Sequence, residues 1–242
     1  MNAAPVTVLH EPQKKFMQKL KSTLFSLGLF CFAASGALAQ DAASANAVLL
    51  KATGPYEDIA HYAIALKVDK VSKYLADADA GAGAAVKILP AGDAREFENL
   101  RQQLHHAVEN KNWTAAAESS VTIFRRLVDR LDVGTLVVPK EVELLDFAGY
   151  QLAVLAASPK PDWNAIAKLA GESDVWWQAL AGRVADKHLR ATVTSALAGL
   201  KQAAAEKNLA MLKYAAQLDL DLVDLLEDGF KAAAKAKAAV KP

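Results

Sequence analysis

Alanine is the feature that most constrains the fold of this chain, since it supplies 51 of the 242 residues. It has the strongest preference of any residue for α-helix and no particular preference for strands. Glycine and proline, which interrupt helices, number only 12 and 8, and aromatic residues make up 7% of the chain. This balance predicts an all-α fold and argues against a β-sandwich or a β-barrel.

Residues 14–40 have the three-part layout of a secretory signal peptide. Four lysines precede an apolar run over about 24–34, and Ala37 and Ala39 occupy the small-residue positions of an A-x-A cleavage site. The run is shorter than the roughly 20 residues that a membrane span needs. We therefore expect residues 1–39 to be removed on export to the periplasm or the medium. Met17 is an alternative start, and an uncleaved anchor is the alternative outcome.

Export would change the chemistry open to the remaining chain. The only cysteine, Cys31, lies inside the apolar run, so the processed chain would have neither a disulfide nor a thiol nucleophile. Four of the 28 basic residues and one of the 27 acidic residues belong to residues 1–39, so the +1 net charge would become slightly negative. This charge argues against a nucleic-acid partner. No membrane span is expected after cleavage.

Composition and periodicity predict how the rest of the chain is organised. We expect a disordered leader over 40–54, a helical repeat over 55–133, a second over 139–229 packed with the first as one domain, and a basic low-complexity tail over 230–242. Helical-wheel projection predicts a bundle of six or seven helices. The segment near 144–157 is apolar nearly all round, which predicts a central helix. The apolar phase changes within 174–206, which predicts a kink or a break near Asp186–Leu189.

The two helical regions share residues in the same order. Asp58 and Tyr62 match Asp146 and Tyr150 at an offset of 88. The pair at 111–112, Lys-Asn, recurs at 207–208. We interpret these matches as a duplicated three-helix unit. The alternative is that alanine- and leucine-rich helices align by composition alone.

Glu57 and His61 are the first candidate site. They are one turn apart and flank the apolar stripe of a predicted helix. A carboxylate and an imidazole presented from one helix can contribute to a transition-metal site in a helical bundle. The alternative is structural: an acid near a helix N-terminus is favoured by the helix dipole, and His61 would be a boundary residue.

Trp176, Trp177 and His188 are the second candidate site, for a ligand such as haem. Two adjacent indoles and an inward histidine could face a flat cofactor, although a haem pocket with two axial ligands would need a second one. The alternative is a core histidine held by a neighbouring polar group. Asp146 is a third notable residue, because it lies in an almost wholly apolar helix. A buried carboxylate must be hydrogen-bonded or protonated, and we expect a structural role for it.

The sequence contains no G-x-S-x-G, glycine-rich phosphate loop, H-E-x-x-H or C-x-x-C-H motif. No enzymatic chemistry is therefore indicated. The sequence favours an exported, soluble, non-enzymatic binding or interaction protein with a protein or small-molecule partner. The alternative is a periplasmic metal- or haem-binding bundle.

Overall fold

A computed structural model describes residues 41–239, and within them the regular structure is entirely helical. The all-α prediction is confirmed. Eight α-helices are present in this part of the chain, where six or seven were predicted. They are α1 (41–64), α2 (Val68–Ile88), α3 (Ala91–Glu109), α4 (Trp113–Asp129), α5 (Lys140–Ala157), α6 (Trp163–Leu180), α7 (Lys187–Ala205) and α8 (Leu209–Ala239), with 3-10 turns at Val133–Thr135 and Ala181–Arg183.

The contacts divide the chain after Ser44, and the unit that begins at Ala45 contains nearly all of the described residues. Its core consists of two apolar clusters, one built mainly from α1–α4 and the other from α5–α8. Phe147 and Trp176 lie at the edge of both clusters and connect them. Helix α5 packs against α4, α6 and α8, which confirms the central position predicted from its apolar surface. No described helix has the length and apolarity to cross a membrane.

The segment 41–54 is helical, which corrects the prediction of a disordered leader over 40–54. Leu49 is buried in the first apolar cluster. Asn46 is also buried, and its amide is hydrogen-bonded to the turn after α4: Nδ2 donates to the Asp132 carbonyl at 2.7 Å and to Thr135 Oγ1 at 2.8 Å. The Asp132 N–H donates back to Asn46 Oδ1 at 2.8 Å. These long-range bonds stabilise a helix whose local sequence is small and polar.

Other boundaries follow local signals. The predicted break near Asp186 is confirmed, since α7 begins at Lys187 and the Asp186 side chain accepts hydrogen bonds from two N–H groups of its first turn. The basic low-complexity tail is helical over 230–239, where α8 continues past Gly229 because alanine and lysine favour helix. The predicted signal peptide lies outside the described residues.

The turns α3–α4 and α7–α8 have the same conformation. Lys111 and Lys207 have φ values of 55° and 54°, in the left-handed region that non-glycine residues seldom adopt. The asparagine after each lysine donates its backbone N–H to an alanine carbonyl five residues earlier, at 2.8 and 2.9 Å. The side chain of the same asparagine caps the following helix.

We expect Lys111→Gly and Lys207→Gly to stabilise the fold by similar amounts, roughly 0.5–1 kcal/mol, because glycine adopts a positive φ without the Cβ clash. Chemical unfolding of each variant measures the change. The matched control is Lys213→Gly in the interior of α8, which should cost about 1 kcal/mol. A loss of stability at either turn would contradict the conformation described for it.

Candidate binding site

The structure gives Glu57 and His61 different surroundings, although both belong to α1. Glu57 is half-buried and interacts electrostatically with acidic side chains of α5 and α8, as described below, whereas His61 is exposed and lies edge-to-face against Tyr62, with ring centroids 4.9 Å apart. Among residues 41–239 no three or more His, Asp or Glu side chains form a group that could hold a metal ion. The metal prediction for this pair stays a prediction.

The structure also gives different surroundings to the residues of the second candidate site, Trp176, Trp177 and His188. Trp177 is buried in the second apolar cluster, and its Nε1 donates to Thr194 Oγ1 at 2.9 Å. Trp176 is half-buried, and the Arg125 guanidinium lies 5.3 Å from its ring centroid. His188 is exposed in the first turn of α7. Trp177 therefore has its polar atom satisfied within the fold, and the haem prediction stays a prediction.

Five carboxylates of α1, α5 and α8 lie within electrostatic range of other members of the set, and we call this group the acidic cluster. They act on one another electrostatically, and three helices supply them. Two are buried, and the other three are half-buried and reach solvent. The members are Glu57 of α1, Glu143 and Asp146 of α5, and Asp219 and Glu227 of α8.

The packing of α5 against α8 positions the cluster. Gly149 of α5 lies so close to α8 that a Cβ there would be 2.6 Å from Leu220 Cδ2 and 3.3 Å from Asp219 Oδ2. At the other end of the same contact, Glu143 is influenced by Glu227. Along this contact the residue numbers of α5 increase while those of α8 decrease, so the two helices run antiparallel. The acidic residues of the two helices lie on both sides of the line of contact between α5 and α8, which we call the seam.

Burial and mutual repulsion raise the pKa values of the cluster. Burial, together with the charge of Glu227, raises the pKa of Glu57 to about 7, although a hydrogen bond with Thr53 opposes the shift. Burial, and then the charges of Glu227 and Glu57, raise the pKa of Glu143 to about 8. Near neutral pH these groups are therefore only partly ionised.

Asp146 and Asp219 are the next two members of the cluster. Burial, followed by the charges of four other acids, raises the pKa of Asp146 well above its ordinary value. Asp219 is only 2% exposed, burial raises its pKa to about 7, and its Oδ2 has no hydrogen-bond partner in the described chain. Asp146, for which a structural role was predicted, is therefore repelled by the other carboxylates of the cluster when it is ionised.

Positive charge near the cluster is scarce. Lys231 is the only base among the groups with the largest effects on these acids within the described residues. It is already bonded to Glu227, one turn earlier on α8. Among the described residues, the cluster is therefore a partly buried concentration of carboxylates in which acids outnumber the nearby bases.

Sequence reasoning had singled out Glu57 and Asp146 but not the other three members. Glu143 precedes the apolar run of α5, and Glu227 belongs to a ridge of acids that resembles a solvated face. Asp219 carried a usable signal: it lies three residues after Ala216 and four before Val223, on the apolar face of α8. A carboxylate at such a position is expected to be buried.

A groove between α1 and α2 is a separate concave feature of this unit. Its volume is about 570 Å³, and among the described residues that line it only Lys51 and Asp77 are charged. The rest of the lining consists of alanine, glycine, valine and proline. The groove therefore lacks the convergent polar groups found at the acidic cluster.

Comparisons of the chain with models of protein families, with curated proteins and with solved structures found no match. The function is therefore inferred from the residues themselves.

Proposed function

We propose that this chain is an exported, non-enzymatic helical binding protein, and that its site is the acidic cluster, which binds a cationic ligand. The observation behind the proposal is the set of five partly buried carboxylates from α1, α5 and α8, with Lys231 as their main counter-charge. Buried carboxylates without cations are costly for a fold to retain. A bound cation would offset that cost.

The half-buried members give the ligand a route to the site. Glu57 and Asp146 reach solvent, and the Glu227 side chain is 24% exposed. A cation at this mouth would be attracted by every member of the cluster, and the partly desolvated surroundings would strengthen each contact. Protons and the ligand would then compete for the same carboxylates.

Cation binding is tested by thermal unfolding of the purified protein at low ionic strength and a pH of about 8. We expect added spermidine or CaCl2 to raise the melting temperature of the wild type, because a ligand that binds only the folded state stabilises it. NaCl at matched ionic strength controls for screening.

The variant Glu57→Gln/Glu143→Gln/Asp146→Asn should lose the response. The variant Asp221→Asn/Asp228→Asn, at exposed positions of α8, should keep it. An equal response in both variants would contradict the proposal.

Export is tested separately by the mass of the protein recovered from the periplasm or medium. We expect an N-terminus at Gln40, or its cyclised form, because Ala37 and Ala39 form the cleavage site. The variant Ala39→Arg should accumulate with its leader attached. Wild-type protein that retains residues 17–39 would refute the proposed export.

The metal or haem alternative has its own test. Metal analysis and an absorbance spectrum of the exported protein would reveal a resident transition metal or haem. Under this alternative His61→Ala removes the metal and His188→Ala removes the haem band. Under the leading proposal neither change affects cation binding at the cluster.

We further propose that the chain arose by duplication of a four-helix unit, rather than the three-helix unit predicted from sequence. The two apolar clusters, each built mainly from four consecutive helices, support this reading, and the turns at Lys111 and Lys207 agree with it, although the α1–α2 turn at Leu66 has a similar positive φ. Asp58 and Asp146 would then be equivalent. Only Asp146 belongs to the acidic cluster, so the site would be a specialisation of the second unit.

A further inference from the structure

Resting on cation binding by the acidic cluster, we propose that the ligand is a linear aliphatic cation with two or more ammonium groups, lying along the seam between α5 and α8. The proposal rests on the arrangement of the carboxylates along that seam, on an unpartnered buried oxygen at its inner end, and on the apolar groups between them.

The carboxylates follow the helix axes. Glu143, Asp146 and Tyr150 of α5 are spaced i, i+3 and i+7, so they share one face. Asp219 of α8 faces α5 at Gly149. The six residue steps from 143 to 149 span about 9 Å at the helical rise of about 1.5 Å per residue. On α8, Asp219 and Glu227 are two turns apart and border the same seam. The negative charge is therefore elongated.

Asp219 supplies the second, independent observation. Its side chain is 2% exposed, and Oδ2 has no hydrogen-bond partner among the described residues. The oxygen lies beside Gly149, one turn from Asp146, whose pKa the Asp219 charge raises. A buried carboxylate oxygen is expected to accept a hydrogen bond. An ammonium group at the inner end of the seam would donate it.

A compact metal ion fits this arrangement less well. Calcium needs six to eight oxygens at about 2.3–2.6 Å around one point. No group of three or more described His, Asp or Glu side chains converges in that way. An elongated cation instead contacts the carboxylates one after another, and each ammonium group can donate up to three hydrogen bonds, as a lysine ammonium does.

The groups between the carboxylates suit a methylene chain. Leu220 packs against Gly149 at the centre of the seam. The half-buried Tyr150 ring lies edge-to-face with Phe124, with centroids 6.4 Å apart. Methylenes placed between terminal ammonium groups would contact these apolar surfaces, whereas a hydrated inorganic ion would not.

The test is a calorimetric titration of the purified full-length or naturally processed protein, at low ionic strength and a pH of about 7.5. The probes are 1,4-diaminobutane, spermidine, n-butylamine and CaCl2. We expect both polyamines to bind at least about tenfold more tightly than n-butylamine, because a second charge-assisted contact is made within the same complex. The two polyamines should also bind more tightly than calcium.

The variant Glu143→Gln/Asp146→Asn should abolish the preference for two ammonium groups, and the control variant Asp221→Asn should retain it. Both variants replace carboxylates with amides of similar size.

The outcomes separate this inference from the proposed function. Equal affinities for 1,4-diaminobutane and n-butylamine, or tighter binding of calcium, would overturn the inference while leaving cation binding intact. Absence of binding by every probe would overturn both. A diamine preference that survives in Glu143→Gln/Asp146→Asn would place the ligand elsewhere and also overturn the inference.

Discussion

Raising the pH from about 5 to about 8 is expected to lower the free energy of unfolding by several kcal/mol, because the folded state loses the protons that Glu57, Glu143 and Asp219 hold at the lower pH. We expect the Glu143→Gln variant to lose a large part of this pH dependence and to be more stable than the wild type near pH 8. Urea unfolding at several pH values measures both effects.

The direction follows from which state binds more protons. In the unfolded chain these carboxyl groups have ordinary pKa values near 4, whereas in the folded chain the pKa values of Glu57 and Asp219 are about 7 and that of Glu143 is about 8. Between these limits the folded state holds more protons, so stability decreases as the pH rises. The contribution is fully present below about pH 4 and is lost as the pH passes through the folded-state values.

The matched control is Glu118→Gln, at an exposed position of α4. It should leave both the stability and its pH dependence within about 0.5 kcal/mol of the wild type. A wild-type stability that rises from pH 5 to pH 8, or a Glu143→Gln variant with unchanged pH dependence, would show that the cluster is not buried as described.

Asn46→Ala is expected to destabilise the fold by about 2–4 kcal/mol, because it removes three hydrogen bonds and leaves polar groups of the turn after α4 without partners. Asn46 is only 4% exposed, so water cannot readily replace the lost amide. Denaturant unfolding gives the size of the effect. Hydrogen exchange should also show earlier opening of residues 45–54.

Asn110→Ala is the control for this change. Its side chain donates to the His106 carbonyl at 2.7 Å in an exposed turn, where water can take its place. The expected loss is within about 0.5 kcal/mol. If Asn46→Ala were equally mild, the segment would behave as the leader predicted from composition, and its helix would contribute little to the fold.

Local sequence signals predicted part of this fold well. Alanine content predicted the all-α class, the all-round apolarity of α5 predicted its central position, and the phase change near Asp186 predicted the start of α7. The prediction of a disordered leader was wrong because the helix in this segment depends on Asn46 and Leu49, whose partners are distant in sequence. The extension of α8 was missed because the second helical repeat was expected to end at residue 229, although helix-favouring residues follow Gly229.

The candidate site was less predictable because three helices build it. A helical wheel assigns each acid a direction on its own helix but cannot show which helix lies opposite. Glu57 was singled out through its spacing from His61, whereas in the structure it interacts electrostatically with Glu143, Asp146 and Glu227. Asp219 could have been found from sequence, since a carboxylate within an apolar stripe marks a buried acid.

The most direct test of the account is a pH titration of the Asp and Glu side-chain carboxyl carbons by NMR, with and without spermidine. The account predicts that several carboxyls, assigned by Glu57→Gln, Glu143→Gln and Asp219→Asn, titrate near pH 7–8, as the pKa values of these groups require. Spermidine should shift those midpoints to lower pH, because a bound cation favours the ionised form. If these carboxyls all titrated below about pH 5, or if spermidine left their midpoints unchanged, the acidic cluster would not be the cation-binding site proposed for this protein.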